Sequence, residues 1–162
     1  MDSSTLREAL IKLQQLAPVK HSVGVYSAEN LPSKINRPAA IIVHSENSDK
    51  DIGHWLAIYL TKKCAFYFDS YGLKPYVNNH INFLARNAHK IYYNKKCYQA
   101  PATTVCGGYC LVFLATKMRA MKMHVKLVAG ESDNNDKVIA HTTKAMLYEL
   151  GLTATPPSKL WL

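Results

Sequence analysis

Residues 106–121 read CGGYCLVFLATKMRAM, a run with helix-like composition that is apolar on nearly every side. A helix with one apolar stripe can lie on a surface. A helix that is apolar all round has to be enclosed by other layers. This run is therefore expected to be a buried central helix, and the rest of the chain must cover it. The 162 residues, 48% hydrophobic and 19% charged, are enough to do so. A chain of this length amounts to about one domain. It buries about two-thirds of its unfolded surface, so it needs neither disulfides nor a metal to hold a core. The composition excludes a largely disordered, collagen-like or coiled-coil chain.

The covering layers can be read from periodicity. Leu6, Leu10, Leu13 and Leu16, with Ala9 and Ala17, repeat at helical spacing. A capping box at Thr5 and Glu8 is expected to open this helix, and Pro18 to stop it. Strands are expected at 23–26, at 39–44 by its branched apolar run, and at 54–60 and 65–69 around a Thr-Lys-Lys turn. A helix over 77–88 would place Val77, Ile81, Leu84 and Ala85 on one face. Residues 91–93 read as an edge strand and 98–105 as a loop. Residues 130–136 read as a polar loop, and 138–150 as a last helix capped by Gly151. There is no repeat, low-complexity stretch or internal linker. The expectation is one α+β domain over 1–162, with helices on both sides of a sheet.

No apolar run approaches the roughly 20 residues needed to span a bilayer. The first 16 residues lack the basic start and uninterrupted apolar core of a signal peptide. A soluble intracellular protein with no membrane contact is expected. The four cysteines, Cys64, Cys97, Cys106 and Cys110, are too few and too scattered for a disulfide scaffold. No CxxC pair is present, so no metal site is expected. Cysteine is then either a packing residue or a nucleophile.

The net charge of +9 is unevenly placed. Residues 70–130 hold nine Lys and Arg and no Asp or Glu, and elsewhere the charges balance. A one-sided field of this kind suits a polyanion such as nucleic acid, with a solubilising surface as the plainer reading. The candidate contacts are Lys95, Lys96, Lys117, Arg119, Lys122 and Lys126, with DNA as the partner and candidate activator.

Four residues form a candidate chemical site. A hairpin turn centred near residues 61 and 62 would place His54 opposite Asp69, with Cβ atoms about 4.5–5.5 Å apart. An acid there can orient an imidazole. Cys106 stands where a loop gives way to the buried helix, and a helix N-terminus lowers a thiol's pKa. Beside His54 it would be an activated nucleophile. Gly107 and Gly108 would let a substrate backbone approach closely. Gln99, seven residues upstream of Cys106, can donate a hydrogen bond together with the backbone N–H near Cys106. Such a pair makes an oxyanion hole, whose single donors are worth roughly 3–4 kcal/mol in a transition state. Taken singly, each has a plain reading: a structural histidine, a turn aspartate, a small buried cysteine and a surface glutamine. Their joint order carries the chemistry, and no further cofactor is needed for it.

The segments Gly53-His-Trp55, Phe68-Asp-Ser-Tyr-Gly72, Gln99 and Cys106-Gly-x-Tyr-Cys110 resemble the adenovirus protease (adenain) family. They are most similar to the adenain-type proteases of Maverick/Polinton DNA transposons and related viruses. The resemblance takes in Gly24-Val-Tyr-Ser-x-x-x-Leu-Pro32 and the strand after Arg37, and covers nearly the whole chain. It implies a cysteine-protease fold shared with ubiquitin-like-protein proteases, a central mixed sheet with a buried helix carrying the nucleophile. It implies roles for His54 as general base, Asp69 as orienting acid, Gln99 as oxyanion donor and Cys106 as nucleophile. Trp55 matches a tryptophan that covers the substrate tunnel, which with Gly107 makes it a candidate substrate contact. Where the family usually has Asn ahead of its histidine loop, this chain has His44, which receives no catalytic role. The implied activity is a cysteine endopeptidase acting on viral or transposon capsid and core precursors near small or Gly residues. Such an enzyme would work in the host nucleus or the virion, with DNA or a peptide as activator. Two alternatives are an isopeptidase for ubiquitin-like tails and an inactive protease fold retained as a nucleic-acid-binding structural protein.

Overall fold

A computed structural model describes residues 1–158. Its elements are α1 (Ser3–Leu16), β1 (Ser22–Tyr26), a short 3-10 turn (Ala28–Asn30), β2 (Ala39–His44), β3 (Trp55–Leu60), β4 (Cys64–Phe68), α2 (Asn78–Asn87), β5 (Lys90–Tyr93), α3 (Cys106–Lys117) and α4 (Ser132–Glu149). The five strands form one mixed sheet in the order β1-β2-β3-β4-β5. The two outer pairs, β1 with β2 and β4 with β5, are parallel, and the two inner pairs are antiparallel.

The sheet is covered on both faces, as the alternation of its apolar side chains requires. Ala40, Ile42, Ala57 and Phe68 join one core with α1, α3 and α4. Ala39, Ile41, Val43, Leu56, Ile58, Leu60, Ala65 and Tyr67 face α2 in a second core. The central helix α3 lies in the first core, with Cys106 to Val112, Leu114 and Ala115 all buried. The all-round apolar run thus meets the sheet on one side and α1 and α4 on the other. No described helix is long and apolar enough to cross a membrane.

Local chemistry moves several boundaries from where periodicity puts them. The cap of α1 is Asp2, whose Oδ1 accepts the Thr5 N–H at 2.8 Å, so Thr5 lies inside the helix and the expected capping box is not used. In α2 the buried face is His80, Phe83, Leu84 and Asn87, while Ile81 is exposed. The central helix stops at Lys117, four residues short of expectation. Arg119 takes a left-handed φ of 54°, and the N–H groups of Arg119 and Ala120 return to the carbonyls of Thr116 and Ala115. This is the Schellman closure that usually employs glycine. Gly151, with φ of 71°, closes α4 in the same way. The expected polar loop at 130–136 is largely the first turn of α4, because Asn135 and Asp136 turn inward and are buried.

Candidate active site

The end of β4 and the start of β3 bring His54 and Asp69 together. His54 Nε2 lies 2.8 Å from Asp69 Oδ1. The hairpin register differs from the expected one. Ala57 pairs with Phe68 and Leu60 with Ala65, so the turn centres between Lys62 and Lys63, and Tyr71 falls across from His54. The slip is two residues, and side chains alternate with period two. Asp69 therefore stays on the face that reaches His54, one diagonal step away.

Asp69 is fully buried. Its Oδ1 also accepts the Tyr71 N–H at 2.9 Å, and the Tyr71 ring lies stacked on the His54 imidazole. Because Asp69 holds Nε2, the ring nitrogen left for a sulfur is Nδ1. Burial would push the His54 pKa down, but hydrogen bonding and charge from Asp69 and Cys106 outweigh it and raise it to about 9.

Cys106 is the first residue of α3 and is buried, at 7% exposure. Val105 offers no side-chain cap, so the helix N-terminus keeps its free N–H groups next to the sulfur. Burial alone would raise the thiol pKa. The His54 side chain, the Trp55 N–H and the Gly107 N–H together hold it below the usual thiol range. The arrangement can form a thiolate–imidazolium pair. Cys110, one turn along and buried, is pushed well above that range by burial. Among the described residues Cys97 is exposed and Cys64 half-buried, and all four thiols are free.

Gln99 is fully buried. Its Oε1 accepts from Ser70 Oγ at 2.5 Å, and its Nε2 donates to the carbonyl and hydroxyl oxygens of Thr103, each at 3.0 Å. In this conformation the amide is directed at Thr103 rather than left as a free donor beside Cys106. Its loop is pinned from α4. Asp136 accepts the Ala100 N–H at 3.2 Å and the Tyr109 hydroxyl at 2.8 Å, and Asn135 donates to the Tyr98 carbonyl.

Both glycines after Cys106 are buried packing positions. A Cβ on Gly108 would stand 2.6 Å from Thr143 Oγ1 and 3.0 Å from Ile139 Cγ2, so that glycine serves the packing of α4 rather than substrate. A Cβ on Gly107 would stand 3.3 Å from Leu6 Cδ2, 3.4 Å from Met1 Cβ and 3.6 Å from Trp55 Cδ1. This buried glycine packs against α1 and Trp55, and the expected substrate approach at Gly107 is not what the fold provides. Trp55 donates its indole N–H to the Met1 carbonyl at 3.2 Å and takes the His44 ring edge-on at 4.5 Å. His44 also fills the space beside Gly53. A groove of about 870 Å³ opens on this side, lined in part by Met1, Arg7, Val25, Tyr26, His44 and Trp55.

No family model matches the sequence, and no curated protein matches it. Solved structures do. The ASFV pS273R protease superposes with a TM-score of 0.56 at 14% identity, over 88% of this chain and 65% of that one. The chain has that protease's fold. A selenomethionine form of the same protease gives 0.45 at 17% identity, over 65% and 42% of the two chains. The Legionella pneumophila effector RavZ, residues 1–487, gives 0.41 at 11% identity, over 91% and 63%. This chain therefore spans between two-fifths and two-thirds of the length of these proteins.

The six basic candidates lie on two segments of the chain. Lys95 and Lys96 are exposed on the loop between β5 and Gln99. Lys117 is half-buried at the end of α3, its Nζ 4.0 Å from the centre of the Phe66 ring. Arg119, Lys122 and Lys126 are exposed on the segment that follows. Among the described residues there is no cluster of three or more His, Cys, Asp or Glu placed to hold a metal ion. Sequence reasoning missed Ser70, Tyr71, Asn135 and Asp136. The first two lie inside the Phe68-Asp-Ser-Tyr-Gly72 segment, which was the available signal. The last two sit in a polar run that carried none.

Proposed function

We propose that the chain is a cysteine endopeptidase. The observation that carries this reading is the His54 Nε2 to Asp69 Oδ1 contact of 2.8 Å, with Cys106 at the first position of a buried helix on the other side of the imidazole. His54 Nδ1 takes the thiol proton. The thiolate attacks the peptide carbonyl carbon, and the tetrahedral oxyanion accepts from the Cys106 N–H and from Gln99 Nε2 once that amide turns from Thr103. The imidazolium then protonates the departing amine, leaving a thioester. Water, deprotonated by His54, hydrolyses the thioester and restores the thiol. Asp69 keeps Nε2 protonated throughout. The substrate chain passes Trp55, which borders the adjoining groove.

The substrates under this reading are capsid or core precursor polypeptides of a virus or transposon, cut near small or Gly residues. The host nucleus or virion is the setting, and a peptide or DNA is a candidate activator. DNA would bind through Lys95, Lys96 and the basic residues from Lys117 to Lys126. The fold shared with a viral protease supports a peptidase over a binding-only protein, and so does the joint presence of all four site residues. Isopeptidase action on ubiquitin-like tails uses the same chemistry, and nothing in the site favours it. The test is hydrolysis of fluorogenic peptides with small residues at the cut, run beside a ubiquitin-like substrate ending in Gly-Gly. Turnover of the peptides that vanishes in Cys106→Ala supports the endopeptidase. Turnover confined to the ubiquitin-like substrate selects the isopeptidase, and no turnover of either by wild type removes both.

A further inference from the structure

Asn94 is the first residue after β5, and its side chain is turned onto the backbone of Asp69. Its Oδ1 accepts the Asp69 N–H at 3.0 Å. Its Nδ2 donates to the Asp69 carbonyl at 2.6 Å and to the Lys96 carbonyl at 3.2 Å. A carboxamide offers a planar donor and acceptor side by side, as a peptide group does. The parallel ladder between β4 and β5 runs from Cys64 with Lys90 to Tyr67 with Tyr93. The Asn94 amide extends that ladder beyond its last backbone pair, onto the acid.

This grip matters because little else orients the carboxylate. Asp69 is fully buried, and its Oδ2 has no hydrogen-bond partner among the described residues. Oδ1 has only His54 and the Tyr71 N–H. With few donors on its own oxygens, the carboxylate takes its direction from the Cα–Cβ bond. That direction follows from the two peptide planes flanking Cα. The Asp69 N–H belongs to one plane and its carbonyl to the other, and Asn94 holds both.

We infer that Asn94 is a positioning residue for the Cys106–His54–Asp69 site, fixing the direction in which Asp69 meets His54. The inference rests on the hydrolase reading above. The chain around it is built to keep the contact. Tyr98 and Gln99 donate their N–H groups to the Ser70 carbonyl at 2.8 and 3.1 Å. Gly72 has a φ of 75°, and a Cβ there would stand 2.7 Å from the Lys96 carbonyl carbon and oxygen. Residues 69–72 and 94–99 thus lie zipped together, with Asn94 at one end and Gln99 at the other.

The test uses Asn94→Asp, which keeps the acceptor and the size but turns an acceptor on the Asp69 carbonyl, and Asn94→Ala. Leu84→Ala, in the core under α2, serves as a stability control away from the site. Iodoacetamide labelling of Cys106 is followed against pH by mass spectrometry, beside kcat, KM and Tm. Both Asn94 variants should move the labelling midpoint upward by about one pH unit, as a tenfold weaker ion pair requires. Their kcat should fall about tenfold or more while KM stays within about twofold. Leu84→Ala should lower Tm without moving the midpoint. Profiles of the Asn94 variants that superimpose on wild type, or a Leu84→Ala profile that moves with them, would overturn the inference. If Asn94→Ala does not accumulate as folded protein, Asn94→Asp decides. If wild-type Cys106 labels no faster than exposed Cys97, the hydrolase reading falls and this inference with it. If wild type passes and only the Asn94 prediction fails, the hydrolase reading stands without it.

Discussion

The Tyr71 ring stacks on the His54 imidazole with centroids 4.7 Å apart and planes 29° from parallel, while the N–H of the same residue holds Asp69 Oδ1. One residue thus covers the base and helps fix its acid. A ring pair of this kind is worth about 0.5–1.5 kcal/mol. Tyr71→Ala should therefore reduce kcat by up to about tenfold. Tyr71→Phe, which keeps ring and N–H, should stay within about twofold of wild type. Steady-state kinetics on the two variants checks this. Equal losses would place the role in the hydroxyl instead.

The pKa values of the pair set a bell-shaped rate profile. The acid limb follows ionisation of Cys106, which is held below its ordinary value of 9.0. The alkaline limb follows loss of the His54 proton at about 9, since the leaving amine needs that proton. Activity should rise with pH through the Cys106 value, level off, and decline through about 9. Labelling near neutral pH should concentrate on Cys106 although Cys97 is the exposed thiol, and Cys106→Ala should abolish turnover. Peptide mapping after alkylation tells these thiols apart.

Gln99→Ala should lower kcat by roughly 10²–10³-fold with a smaller change in KM, as loss of an oxyanion donor does. A loss confined to KM would instead make Gln99 a substrate-binding residue.

His80 links stability to pH. It is fully buried on α2, its Nε2 donating to the His44 carbonyl at 2.9 Å, and its Nδ1 has no partner among the described residues. Burial pushes its pKa from 6.5 down to about 4. The unfolded chain therefore binds a proton below about 6.5 that the native state refuses until about 4. Stability is fully present above the unfolded value and is lost as pH falls through this window, by about 3 kcal/mol at most. Urea unfolding of wild type and His80→Gln at neutral and mildly acidic pH should show a flatter acid slope in the variant. Parallel slopes would assign the acid loss to other groups.

Binding to duplex DNA through the basic segment should be insensitive to sequence and steeply dependent on salt. For about four phosphate contacts, log K should fall against log salt with a slope of roughly −3.6. Charge reversal at Lys95 and Lys96, or at Lys122 and Lys126, should weaken it, and added DNA should raise the peptidase rate. Fluorescence anisotropy at two salt concentrations measures the slope. Weak, salt-insensitive binding would leave the segment a solubilising surface.

The sequence alone determined the features that depend on local pattern. The all-round apolar run after Cys106 reads as an enclosed helix, and the branched apolar run at 39–44 reads as a buried strand; the fold contains both. Gly151 marked the end of α4 because a glycine takes a left-handed cap without strain. The pairing of His54 with Asp69 was legible because an even slip in register keeps both side chains on one face, and the actual slip of two residues leaves them diagonal neighbours within reach.

Tertiary structure decided what local pattern does not encode. Arg119 ends α3 in a left-handed cap that no local preference announces. Asn135 and Asp136 looked like loop residues because polar side chains favour solvent, yet they are turned inward to hold the Gln99 loop, 35 or more positions away in the chain. Asn94 reaches Asp69 only because β5 lies in parallel beside β4. Gln99 faces Thr103 because the loop folds back on itself. In each case a polar group finds its partner across the fold rather than along the chain. A buried polar group must have such a partner, but its sequence does not say which one.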